Sequence, residues 1–308
     1  FLDKMGFLEV ETPVLQPIYG GANARPFTTF HNTLEQKLYL RIATELYLKR
    51  LIIGGFDKVY ELSKDFRNEG MDRNHNPEFT MLEYYSSFSD IFDMLDLTES
   101  LIKSVAKTAD VNEIEFMDNK IDFTKVFNRV SMIDLFDDKF GEEKILFNVD
   151  ALYSISEKNN LGVKADDYPK LVDKLFSTFI EPELIQPTFV LDYPLELSPL
   201  SKLKRDSDLP VVERFELFIG GMEIANAFTE LNDPQEQKSR MESQEKLKDK
   251  GDEEATEVDH DFINAMEVGM PPTGGVGIGI DRLVMLITGN KSIKDVILFP
   301  ALRPENPK

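Results

Sequence analysis

The sequence predicts an α+β chain, an antiparallel sheet flanked by helices, and three observations predict it. Strand-like segments come in neighbouring pairs separated by polar or glycine turns, which is hairpin spacing. Helical periodicity fills the stretches between those pairs. Hydrophobic residues make up 42% of the 308 positions and charged residues 30%. A chain of this length buries about 75% of its unfolded surface, so a real core is expected and the disordered and fibrous classes are excluded.

Residues 7–15 mix apolar and acidic positions and carry Pro13, as on an edge strand. A loop marked by Gly20, Gly21 and Pro26 follows, and then apolar residues at helical spacing from Leu38 to Ile53, stopped by Gly54 and Gly55. Lys58–Leu62 and Glu78–Tyr85 read as two strands joined by the polar turn Phe66–Pro77. An amphipathic helix is expected over 90–108 and short alternating strands over 112–127. From Ser131 to Ile185 the pattern is helical, with breaks at Gly141, Gly162 and Pro169, and Pro187–Leu191 returns to strand. The stretch 198–210 reads as a loop rich in Ser, Pro and Lys, and Val211–Gly220 and Met222–Leu231 as an antiparallel pair. A charged helix and loop over 233–254, a helix over 259–268, the alternating Gly275, Gly277 and Gly279, and a helix from near Asp281 to Gly289 complete the chain.

Charge and composition bound the function. Lys plus Arg is 35 against Asp plus Glu 56, a net charge of −21, so a polyanion would be repelled over most of the surface and any nucleic-acid contact must be local. A small cationic substrate would be attracted. The chain has no cysteine, which excludes disulfides, thiolate nucleophiles and cysteine zinc sites, and His31, His75 and His260 are too far apart for a local metal motif. No apolar run reaches the ~18 residues of a membrane span, and the absence of cysteine suits a cytoplasmic protein. Phe1–Met5 reads like the end of a helix already under way, so a preceding segment is expected.

Three constellations can carry chemistry. In Phe66–Tyr85, the fixed fork of Arg67 can grip a phosphate and a carboxylate, His75 can reach a polyphosphate, and Phe79 offers a stacking face. Residues 79, 81, 83 and 85 of one strand share a face, so Phe79, Glu83 and Tyr85 can line one pocket. In Glu213–Glu230, a turn at Gly220 and Gly221 can bring Glu216 and Glu223 together on neighbouring strands, a pair suited to Mg2+. Asn226 and Glu230 fall on one face by their even spacing. In Gly274–Arg282, alternate glycines clear one strand face for a planar ligand on which Arg282 can stack. Neither a P-loop nor a GxGxxG fingerprint is present. Each segment alone has a bland counterpart: a charged hairpin loop, an acidic solvent-facing sheet, a tight packing site.

Together these segments resemble the three signature motifs of class II aminoacyl-tRNA synthetases, and the chain is similar to the catalytic domain of the lysyl-tRNA synthetase family. The likeness runs from Phe7–Pro13 through Gly20–Phe27, Glu45–Arg50, Phe66–Tyr85 and Phe228–Asp233 to Leu298–Pro300. It implies one catalytic domain over 1–308 with a helical insertion at about 131–186, and a homodimer across the first motif. It implies activation of lysine by ATP, with Mg2+, followed by transfer to the acceptor end of tRNA(Lys). By matching position, Arg67 would hold the lysine carboxylate and the α-phosphate, with Asn226 also on the carboxylate. Glu69 would read the adenine amino group, Phe79 and Arg282 would sandwich the ring, and His75 and Asn76 would serve the triphosphate and ribose. Glu216 and Glu223 would hold Mg2+ beside the nucleotide. Glu45 and the Gly21 backbone would take the α-ammonium, and Glu230 and Tyr85 the side-chain ammonium, with Glu83 nearby. In the family an anticodon-binding OB-fold domain precedes the catalytic domain, and these residues do not include it. Two alternatives share the likeness. Elongation factor P lysyl transferases typically carry alanine at the position of Gly277 and lack the loop seen at 20–27, and a non-catalytic paralogue would be expected to have lost Arg67, Glu223 or Arg282.

Overall fold

The structure, a computed structural model, describes residues 1–164, 167–249 and 255–303. Its contacts divide the chain into two compact units, Phe1–Asp90 with Glu230–Lys308 and Ile91–Thr229.

The first unit opens with β1 (Leu8–Glu9), β2 (Leu15–Gln16), β3 (Thr28–His31) and β4 (Gln36–Leu40), then α1 (Glu45–Ile53), β5 (Lys58–Phe66) and β6 (Glu78–Ser87). The predicted strand over 7–15 is thus two short strands with Pro13 in neither. The helix expected from Leu38 begins only at Glu45. Residues 36–40 instead pair with β3 on one side and β2 on the other, and the Tyr39 ring packs 4.9 Å from that of Tyr19. Strand hydrogen bonds on both edges outweigh a helical spacing that Leu38 and Leu40 fit only in part. The predicted β5–β6 hairpin forms in the register Asp65 to Phe79, Glu61 to Glu83 and Val59 to Tyr85. At the edge, β1 pairs with β5 in parallel, so the sheet is antiparallel except there. Leu48 and Ile52 of α1 pack with Val59 and Tyr85 and seat the helix on that hairpin.

The second unit contains α2 (Ile91–Thr108), β7 (Glu113–Phe116), β8 (Asn119–Asp122), β9 (Asn128–Ser131), α3 (Met132–Phe140), α4 (Val149–Lys158), α5 (Tyr168–Phe179), β10 (Thr188–Leu191), β11 (Arg214–Phe218) and β12 (Glu223–Thr229). Met117 and Asp118, both at positive φ (53° and 63°), make the two-residue turn joining β7 and β8. The strands run β9, β10, β11, β12, antiparallel except for the parallel β9–β10 pair. Helices α3, α4 and α5 realise the helical pattern over 131–185. Pro169 does not break a helix: it is the second residue of α5, where a missing N–H costs nothing, behind the Asp167 cap. Phe136, Leu152, Leu175 and Phe176 of these helices are buried with Val190 and Phe218. The Phe176 and Phe218 rings lie 5.3 Å apart.

The chain then returns to the first unit with α6 (Pro234–Asp249), α7 (His260–Gly269), β13 (Thr273–Gly279) and α8 (Ile280–Thr288). Asp233 accepts the Gln235 and Glu236 N–H groups and starts α6. The end of the charged segment expected over 233–254 lies outside the described residues. β13 completes the first unit's strand order β1, β5, β6, β13, with Gly275 opposite Tyr85 and Gly277 opposite Glu83. Among the described residues no helix is long and apolar enough to cross a membrane.

Candidate active site

Three elements of the first unit converge on a buried acidic pocket. Glu45 opens α1, Glu83 and Tyr85 lie on β6, and Glu230 precedes the run to α6; all four are buried. The predicted sharing of a face by Glu83 and Tyr85 holds: the Tyr85 hydroxyl donates to Glu83 Oε2 at 2.9 Å. Glu83 Oε1 accepts the Thr44 N–H at the start of α1, 3.1 Å away. Both Glu83 oxygens are therefore engaged inside the protein. The Tyr85 proton is spent on Glu83, which leaves the phenol oxygen able to accept a hydrogen bond.

Glu230 is different. Its Oε2 forms an ion pair with the Lys49 ammonium, both side chains fully buried, yet neither carboxylate oxygen has a hydrogen bond of good geometry. Lys49 also donates to Glu45 Oε1 at 2.5 Å, across one turn of α1. Burial pushes Glu83 up to about 8, helped by the charges of Asp65 and Glu45. Burial likewise raises Glu230, with Lys49 pulling the other way and Glu45 and Glu83 adding to the rise. Lys49 itself stays cationic: its burial is outweighed by Glu230 and Glu45.

Glycines shape the pocket wall. A Cβ on Gly275 would overlap Glu230 Oε1 and lie 2.6 Å from Tyr85 Cδ1, so only glycine leaves room for both groups. Gly21, at φ +88°, would place a Cβ 3.0 Å from that of Glu45, which brings its backbone against the start of α1. Gly277 is looser, since a Cβ there would meet the Met81 methyl at 3.2 Å.

Arg67, His75 and Arg282 of the first unit lie around the Phe66–Pro77 turn. The Arg67 guanidinium stacks 5.1 Å from the Phe79 ring centroid, and its N–H backbone group donates to Pro77. The Asn68 N–H donates to the Arg25 carbonyl, tying the Gly20–Phe27 loop to this turn. His75 is exposed, with Nδ1 2.8 Å from Asp72 and Nε2 2.9 Å from Arg282. Asp281 accepts the Thr80 N–H at 2.7 Å, which anchors α8 and so holds Arg282 next to the strand that carries Phe79. Asn76 is buried and its amide is occupied at both ends, donating to the Glu78 carbonyl and accepting from the Ala301 N–H. Glu69 is exposed on the turn.

In the second unit Glu216 stands opposite Asn226, and Glu223 opposite Phe218 across a register shift. Glu216 accepts from the Tyr193 hydroxyl at 2.9 Å and pairs with Arg214, which also donates to Asn226 Oδ1 at 3.1 Å. Burial pushes Glu216 up to about 6, Arg214 opposes the rise, and the Glu223 carboxylate adds to it. Two carboxylates on neighbouring strands suit a divalent cation, though among the described residues no group of three or more candidate ligands exists. Such an ion would take its remaining ligands from phosphate and water, as Mg2+ does beside nucleotides.

Lys49, Arg214 and Tyr193 are the residues to which the sequence argument assigned no role. The signal for Lys49 was present in its i, i+4 spacing from Glu45. Its contact with Glu230 links positions 181 apart in the numbering and has no local signature.

The whole of this arrangement, residues 1–303, matches the model of the tRNA synthetases class II (D, K and N), and the chain belongs to that family. Among curated relatives it is 54% identical to the lysine–tRNA ligase of Roseiflexus sp. (strain RS-1), covering 99% of this chain and 63% of that protein. It is 52% identical to the lysine–tRNA ligase of Prochlorococcus marinus (strain MIT 9301), covering 99% and 60%. With the lysine–tRNA ligase of Aquifex aeolicus (strain VF5) it shares 51%, covering 100% and 52%. The chain thus spans between 52% and 63% of the length of these relatives.

Proposed function

We propose that this chain is the catalytic part of a lysine–tRNA ligase: it joins lysine to AMP from ATP, releasing pyrophosphate, and passes the lysyl group to tRNA(Lys). The observation that carries the reading is the buried Glu230 carboxylate, whose Oε1 has no partner and lies against the Tyr85 ring where Gly275 leaves room. A buried carboxylate oxygen without a partner is costly, and an incoming ammonium removes that cost. Glu230 and the Tyr85 oxygen would take the side-chain ammonium, and Glu45 with the Gly21 backbone the α-ammonium. Glu83 would act by holding Tyr85.

The substrate carboxylate is already a nucleophile, so the reaction needs no side-chain base. Arg67 would orient that carboxylate toward the α-phosphorus and stabilise the charge that builds there. Phe79 and Arg282 would hold the adenine, Glu69 would read its amino group, and His75 would meet the triphosphate. Asn76, with both ends of its amide engaged, would shape the ribose side rather than bind through that amide. For the second unit, Glu216 and Glu223 would hold Mg2+ and Asn226 the amino-acid carboxylate; when bound, the ion supplies charge neutralisation to the phosphates. The reading includes a single catalytic domain over 1–308 with an insertion near 131–186, and a cytoplasmic homodimer. The exposed apolar side chains Met5, Leu8 and Leu62 support a partner copy at the first motif.

The test is amino-acid-dependent ATP–pyrophosphate exchange with each of the twenty amino acids and no tRNA. Exchange with lysine alone is expected. Exchange with another amino acid, or with none, would overturn the reading.

A further inference from the structure

The acidic pocket contains a cation of its own. Lys49 has no side-chain exposure and touches Glu45 Oε1 and Glu230 Oε2, while Glu230 Oε1 has no partner. The charged groups acting on this pocket come from α1 (Glu45, Lys49), β6 (Glu83, with the Tyr85 phenol) and the Glu230 segment, with Asp65 of β5 beyond Glu83. Asp65 is accounted for by Arg41 and Arg67, and Glu61 by Arg41 at 2.7 Å. What remains is Glu45, Glu83 and Glu230 against Lys49, an excess of two negative charges when all are ionised.

A substrate with two ammonium groups cancels that excess, and one with a single ammonium does not. We propose that Lys49 is a positioning residue that sets this charge count: its contacts aim the Glu45 and Glu230 carboxylates so that the pocket selects an amino acid carrying two ammonium groups. The proposal rests on the lysine-activation reading and goes beyond it in naming the residue that tunes the pocket. The physical reason is local. Without Lys49, Glu230 loses the cation that opposes its burial-driven rise, so its carboxyl keeps a proton to still higher pH. An arriving ammonium must then displace a proton, and binding weakens about tenfold for each pH unit below the carboxylate pKa.

The test is Lys49→Met in the full chain, which keeps length and removes charge. The KM for lysine in ATP–pyrophosphate exchange is compared with wild type from pH 7 to pH 9, with thermal melting as the folding check. The expected result is a KM for lysine raised by at least about tenfold at pH 7, with the ratio to wild type shrinking as pH rises, and a KM for ATP within about twofold. A ratio that is near one, or raised equally at every pH, would overturn the proposal, because a merely structural lysine has no reason to couple binding to protons. Should Lys49→Met fail to fold, Lys49→Met/Glu45→Gln removes one charge of each sign and is compared with Glu45→Gln alone. The proposal expects a further, pH-dependent loss in the double variant; equality of the two overturns it. Wild type without lysine-dependent exchange would remove the lysine reading itself. Normal wild-type exchange with a pH-independent variant would remove only the role of Lys49.

Discussion

Glu230 and Lys49 form an ion pair in which neither side chain retains any solvent exposure. Fully buried pairs gain little over apolar packing of the same volume, because desolvation consumes most of their attraction, so stability alone is a weak reason for this one. The geometry gives a better reason. One oxygen of Glu230 is held by Lys49 and the other is left without a partner beside Tyr85, an arrangement that supports the proposed second cation there.

Replacing Glu230 by Gln keeps the shape and removes the charge. The KM for lysine should rise about 10²-fold, corresponding to the loss of a buried charge pair, while the KM for ATP stays near wild type. Exchange kinetics with each substrate varied in turn decide it. Equal loss toward lysine and ATP would show that Glu230 supports the fold and not the amino-acid pocket.

Gly275→Ala tests the wall of the pocket. The added methyl must displace the Glu230 carboxylate or the Tyr85 ring, both buried, so a loss of about 1–3 kcal/mol in stability and a raised KM for lysine are expected. Gly277→Ala is the control, since its methyl meets only the flexible end of Met81 and the Glu83 stem. It should leave melting and lysine binding close to wild type. If the two variants behave alike, the close approach at Gly275 is not what shapes the site.

Much of this site was legible because its residues lie within short, regular stretches. The alternation that places Glu83 and Tyr85 on one face is a property of any strand, and the polar turn between Phe66 and Pro77 marks its own hairpin. The β11–β12 hairpin is legible for the same reason, whereas Pro169 reads as a break and instead lies in the first turn of α5. The misreadings fall where pairing to other segments overrides a local pattern. Leu38 and Leu40 carry part of a helical pattern, but the hairpin partner β3 pairs with Leu38 and β2, further up the chain, with Leu40, and together they claim the segment for a sheet. Lys49 was hidden for a related reason: nothing near it predicts a contact with Glu230. The engagement of both ends of Asn76 is likewise invisible locally, because its acceptor is used by Ala301.

The buried carboxylates give the unliganded protein a definite pH dependence. Glu83 is raised to about 8 by burial and by Asp65 and Glu45, above its unfolded value of roughly 4.3. Between those values the folded state binds a proton that the unfolded state has released, so stability falls as pH rises from about 5 to about 8. The slope from one such group is at most about 1.4 kcal/mol per pH unit. Thermal melting across this range should show a shallower decline for Glu83→Gln than for wild type. Saturating lysine should also flatten the wild-type curve, because its ammonium groups favour the ionised pocket. A Glu83→Gln curve parallel to wild type would mean that Glu83 is ionised throughout.

Arg67 offers the sharpest separation of chemistry from binding. Its guanidinium rests on Phe79 and is half-buried, and Pro77 is held by its backbone N–H, which Ala retains. Arg67→Ala should therefore fold with a melting temperature near wild type. Its proposed contact is with the reacting carboxylate and α-phosphate, where negative charge grows during adenylate formation. Removing a donor of that kind typically costs 10²–10³-fold in turnover, and saturating lysine cannot restore it. The decisive measurement is single-turnover adenylate formation at saturating lysine and ATP. A normal rate with a raised KM would place Arg67 in ground-state binding alone, whereas a slow rate at saturation places it on the transition state.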